Sequence, residues 1–121
     1  MSTDEKMSRL ITQVLRATYS GSIRWDVAEP PASMTRATDS FVPLFFSAHY
    51  KNTDIVVYEE RSKYWTDEDT YSWTSNIHFG VVVGGVVISD YAQYSPALRE
   101  LFEQAKKDAS NIDSLLDNLL D

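Results

Sequence analysis

The chain has 121 residues, 43% hydrophobic and 12% aromatic, which suits a single globular domain over residues 1–121 and is too apolar for a disordered segment. Having no cysteine, it can form no disulfide, thiolate nucleophile or cysteine-held zinc or iron–sulfur centre. Its net charge of −7 argues against nucleic acid, whose binding rests on Lys and Arg neutralising phosphates.

The start, MSTDEKMSRL, is acidic and lacks the basic region and apolar stretch of a secretory signal. Met7, Leu10, Ile11, Val14 and Leu15 fall at helical spacing, with Ser2 and Glu5 placed for a capping box and Gly21 for the stop, so an amphipathic N-terminal helix is expected. Residues 22–28 alternate Ile23, Trp25 and Val27 with Arg24 and Asp26, the period of a half-buried strand. Residues 29–40, EPPASMTRATDS, read as a loop, because Pro30 and Pro31 cannot continue a ladder.

Residues 41–50 form a second expected strand, with Val42, Leu44, Phe46, Ala48 and Tyr50 on one face and Pro43 near its start. A turn at residues 51–54 with Asn52 and Thr53 at its tip would set Tyr50 opposite Ile55 and Ala48 opposite Val57. A third strand then runs from Ile55 to about Tyr64. A fourth runs from Tyr71 to Val83 with Tyr71, Trp73, Ile77, Phe79, Val81 and Val83 on one side. Gly84 and Gly85 supply the positive φ of a tight hairpin, which pairs Val81 with Ile88 and Val82 with Val87. Both faces at that tip are apolar, so a loop, the last helix or a second subunit is expected to cover the outer one. The longest apolar run, residues 81–88, is too short for a bilayer.

Ser95 and Pro96 are a cap and a first helical position. From Leu98 to Leu120 the apolar residues recur every three or four positions. That describes a helix of about 24 residues, roughly 36 Å long, with a break, if any, near Ser110 and Asn111. From Asp108 onward there are four aspartates and no base, an unfavourable end for the helix dipole. The order α-β-β-β-β-β-α describes an α+β domain: an antiparallel meander of about five strands, an N-terminal helix and a long amphipathic C-terminal helix.

The segment 58–73, YEERSKYWTDEDTYSW, packs five carboxylates and five rings together. Asp67 and Asp69 begin like a calcium loop, but Ser72 and His78 stand where the loop needs glycine and glutamate. His49 and His78 are the only histidines and have no zinc spacing. Glu59 and Glu60 are adjacent in a strand and so point to opposite faces, which does not suit paired catalytic acids. No nucleophile elbow or phosphate loop occurs. No catalytic residue, cofactor or metal is therefore expected.

These features point to a small, acidic, cytoplasmic, non-enzymatic protein-binding domain: an adaptor, chaperone or inhibitor of a partner with a basic surface. Tyr64, Trp65, Asp67, Glu68, Asp69, Tyr71 and Trp73 are the candidate contacts. Self-association as a homodimer would use Val82, Val87, Leu115, Leu116, Leu119 and Leu120. The alternative is a small-molecule site or minor enzyme pocket between helix and sheet, lined by Trp25, Tyr50, His49 and His78.

Overall fold

The computed structural model of the chain describes residues 2–35 and 40–120. It is an α+β meander. Helix α1 (Thr3–Tyr19) is followed by β1 (Asp26–Val27), a single helical turn α2 (Ala32–Thr35), β2 (Ser40–Tyr50), β3 (Thr53–Trp65), β4 (Tyr71–Val83), β5 (Val86–Tyr91), α3 (Pro96–Ser110) and α4 (Ile112–Leu119). The five strands lie in sequence order, each antiparallel to the next. Among the described residues no helix is long and apolar enough to cross a membrane.

The helix ends follow local chemistry. Ser2 Oγ accepts from the Glu5 N–H at 3.1 Å, and Ser95 Oγ accepts from the Leu98 N–H at 3.3 Å, each satisfying a donor that the first turn leaves free. Helix α1 stops where Gly21 takes φ +80°. α1 and α3 pack together over one face of the sheet. Met7, Ile11 and Val14 from α1 and Leu98, Leu101, Phe102 and Ala105 from α3 close on Phe46, Ala48, Ile55, Val57, Phe79 and Tyr91. Ile23 and Trp25 fill this layer too. The Trp25 indole donates to Thr18 Oγ1 at 3.1 Å, and its backbone N–H donates to Asp108 at 2.7 Å, which ties the loop after α1 to the end of α3.

Four local expectations change. The first strand contracts to two residues. Ile23 and Trp25 are buried, but Val27 lies on the edge strand and is 66% exposed. The β2–β3 tip is Lys51 and Asn52, at φ +48° and +64°, so Tyr50 faces Thr53 and Ala48 faces Ile55. With both tip residues at positive φ this is a type I′ turn, a backbone that Asn tolerates and β-branched Thr does not. A bulge at Pro43, between Phe41 and Leu44, turns Val42 to the other side of the sheet. Across Gly84 and Gly85, Val82 does pair with Val87, but Val81 pairs with Ser89, and Ile88 falls at a bulge and is exposed.

The C-terminal helical span is divided at Asn111, which is left-handed at φ 51°, ψ 46°. The outer face of the sheet carries a smaller cluster of Phe45, Val56 and Tyr58, with Val42, Val82 and Val87 around it and Ala28 and Met34 packed against it. The 29–40 segment thus supplies part of the expected cover, and α2 lies within it. Residues 36–39 of that expected loop lie outside the described residues.

Candidate functional site

β3 and β4 run on past the helices. From Ile77 toward the tip the pairs are Arg61 with Ser75, Lys63 with Trp73 and Trp65 with Tyr71, and all of residues 71–76 are exposed. Alternation puts Arg61, Lys63, Trp65, Tyr71 and Trp73 on the same face as the core residues Val57 and Phe79. The Pro43 bulge brings Phe41 onto this face opposite Arg61.

The rings meet edge to face or tilted. Centroids lie 4.9 Å apart for Trp65–Tyr71, 5.9 Å for Tyr71–Trp73 and 5.5 Å for Phe41–Trp73. Lys63 Nζ sits over three of them, 5.8 Å from Trp65, 4.7 Å from Tyr71 and 5.7 Å from Trp73, and Arg61 lies 6.0 Å over Phe41. Each of the four rings stays 42–46% exposed. The result is one contiguous patch of four half-open rings with two cations set among them.

The tip is a tight loop. The Asp67 carboxylate accepts from the Asp69 N–H at 2.8 Å and the Thr70 N–H at 3.0 Å, and the Thr66 N–H donates to the Thr70 carbonyl at 2.9 Å. Asp67 therefore holds the turn, while Glu68 and Asp69 are exposed. The fold thus joins Trp65, Tyr71 and Trp73, and places Asp67, Glu68 and Asp69 at the end of the patch. Tyr64 falls on the reverse face, opposite Ser72, away from the rings. Phe41, Arg61 and Lys63 were missing from the sequence-derived set. Parity across the hairpin is a signal for the two cations. Phe41 depends on a bulge that the sequence marks only through Pro43.

The reverse face holds a polar cluster. The Tyr58 hydroxyl donates to Asp90 at 3.0 Å and His78 Nδ1 lies 3.0 Å from the same carboxylate, while the Tyr58 and His78 rings stack at 4.7 Å. His78 Nε2 is buried and lies 3.4 Å from Glu60 Oε1, an ion-pair approach without a hydrogen bond. Burial works to lower the His78 pKa, but the bond and charge of Asp90 together with Glu60 outweigh it and hold His78 above its usual value. Burial works to raise Asp90, yet His78 and the Tyr58 hydroxyl hold it low. Burial first, then the Asp90 charge, pushes Tyr58 well up.

Trp25, Tyr50, His49 and His78 do not line one pocket. Trp25 is core, and the Tyr50 hydroxyl accepts from the Gln13 side chain at 2.6 Å. His49 is on the outer face, 3.0 Å from Asp54, and His78 shares that face. An open groove of about 370 Å³ does lie there, lined by Phe45, Val56 and Val82 and rimmed by Asp26, Glu29 and Asp54. Among the described residues no three His, Asp or Glu side chains converge as a metal-binding set. The Glu59 carboxylate, on the ring-bearing face, accepts from the Ser75 hydroxyl at 3.0 Å, so the paired glutamates do point apart.

Of the residues nominated for self-association, Val82 and Val87 are half-buried against the outer cluster. Leu115, Leu116, Leu119 and Leu120 are 47–72% exposed, and α4 buries none of its residues. Compared with known protein families, curated proteins and solved structures, the chain matches none of them.

Proposed function

We propose that this chain is a non-enzymatic protein-binding domain, acting in the cytoplasm as an adaptor, chaperone or inhibitor through the aromatic face of the β3–β4 extension. The observation that carries the reading is the patch of Phe41, Trp65, Tyr71 and Trp73, half exposed and held edge to face or tilted outside the core cluster. Such rings do little for the core, while Trp and Tyr are the residues that concentrate binding energy at interfaces. Glu68 and Asp69 at the end of the patch, on a chain of net charge −7, favour a partner with basic groups around an apolar centre.

The test is capture from native extract with the intact chain, the Trp65→Ser/Trp73→Ser variant and the Glu68→Lys/Asp69→Lys variant. The ring variant should lose its partner while keeping native circular dichroism, and the charge variant should bind more slowly and with less salt dependence. Capture unchanged by both pairs overturns the reading.

A small-molecule site has one supporting observation, the groove over Phe45, Val56 and Val82 with carboxylates on its rim, which suits an apolar cation. A rise in melting temperature with such ligands that Val82→Trp abolishes would favour it.

A further inference from the structure

We infer that the aromatic face of the β3–β4 extension receives helix α4 of a second copy of the chain, in a reciprocal dimer. The inference rests on the reading of that face as a protein-binding surface, and names its resting occupant.

The chain carries two apolar surfaces, one flanked by acids and one with two cations set among its rings, where Glu59 is held by the Ser75 hydroxyl and Glu68 and Asp69 lie in the loop beyond the rings. On α4, Ile112, Leu115, Leu116 and Leu119 form one stripe at the i, i+3, i+4, i+7 spacing, and Asp113 and Asp117 run along one flank. Residues 108–120 contain no base. On the extension, Arg61 and Lys63 stand among Phe41, Trp65, Tyr71 and Trp73. The spacings match. Two residues apart on one strand face, the cations repeat at roughly 6.6 Å. Four apart on a helix, the aspartates repeat at about 6 Å. A helix laid along β3 brings its leucines onto the rings and each aspartate to a cation.

Each surface also repels its own kind. Two α4 helices face to face oppose Asp113 and Asp117 with the same acids, and two ring faces oppose Arg61 and Lys63 with the same bases. Pairing α4 with the extension removes both conflicts.

The occupant comes from a second copy because of where α3 points. Its first turn, with Leu98 and Arg99, lies beside Ser75 and Ile77 at the base of the extension, whereas its end is tied to Trp25 through Asp108. α4 therefore starts from the far end, and none of its residues is fully buried in its own chain, Ile112 alone being half-buried beside Thr18 and Lys107. One two-turn helix, about 12 Å long, covers less than the roughly 1,200 Å² that stable interfaces bury. A two-fold axis supplies the contact twice and closes the assembly, where a single head-to-tail contact would grow into a filament. An outside partner would then have to displace α4 from the rings.

Sedimentation equilibrium of the full chain tests this, using the Arg61→Glu/Lys63→Glu and Asp113→Lys/Asp117→Lys variants and all four changes together. The native chain should dimerise. Each pair alone should weaken the dimer about tenfold or more, and the combined variant should restore it. A native chain that is monomeric at every concentration, a dimer indifferent to either pair, or mass that grows without limit overturns the inference. Failure here is separable from failure of the binding reading. If the native chain is monomeric but Trp65→Ser/Trp73→Ser still loses the captured partner, the aromatic face binds something other than α4. If the ring variant changes neither association nor capture, both ideas fall.

Discussion

His78 is the residue whose ionisation is most tied to the fold. It stacks on Tyr58, bonds Asp90 on β5 and approaches Glu60 on β3, so its positive form joins three strands on the outer face. Its folded pKa is raised above the unfolded value of about 6.5. The stabilisation is therefore complete below that unfolded value and is lost as pH rises through the folded one. Asp90 is depressed, so its contribution is present above its unfolded value of about 3.9 and is lost as pH falls through the folded one. Chemical denaturation across pH should show greatest stability between those two unfolded values. The decline on the alkaline side should flatten in His78→Gln, and an unchanged alkaline limb in that variant would refute the coupling. Nothing near His78 in the sequence announces this. Asp90 is 12 residues away and Tyr58 is 20, and they meet only once the strand register is set.

At the level of elements, alternation identifies the strands but leaves their register free. A slip of two residues keeps every side chain on its own face, so moving the β2–β3 tip from Asn52 and Thr53 to Lys51 and Asn52 changed each partner without disturbing the apolar pattern. Bulges are harder to read, because one extra residue swaps the faces of the side chains on either side of it. Pro43 carried Val42 to the outer face and Phe41 to the inner one, and the Ile88 irregularity exposed a residue that alternation would pair. The site was legible in part for the same reason. Trp65, Tyr71 and Trp73 stand out by type, whereas Lys63 and Arg61 acquire meaning only from the hairpin pairing. The extension they build should be separable from the fold. Core members on β4 begin at Ile77, so replacing residues 62–74 with a two-residue Asn-Gly turn removes mainly exposed ring pairs, each worth about 0.5–1.5 kcal/mol. The shortened chain loses three such pairs and should keep its cooperative unfolding while losing roughly 1.5–4.5 kcal/mol in urea, with partner capture abolished. Collapse of the fold would mean that the rings serve stability.

Across the whole molecule the two sheet faces are unequal. The inner face is sealed by α1 and α3 on a large cluster, in which Phe79 and Val57 are fully buried. The outer face rests on Phe45, Val56 and Tyr58, covered by Ala28, Met34 and neighbouring valines and open to a groove beside them. The asymmetry comes from both terminal helices packing on the same side of the five-stranded meander, which the chain order α-β-β-β-β-β-α permits but does not dictate. How far the 29–40 segment covers the other side could not be read from its loop composition, which lacks the periodicity that marks a packed face. Inner-face truncation should therefore be costly. Phe79→Ala leaves a cavity among side chains held by two helices that cannot close on it, and should cost about 3–5 kcal/mol, a large part of the stability of a domain this size. Phe45→Ala borders the open groove, where water can enter, so a loss at the low end of that range, about 3 kcal/mol, is expected. Urea unfolding of the two variants measures the difference. Equal losses would mean that the outer face is sealed as tightly as the inner one, and would leave the groove over Phe45 without room for a ligand.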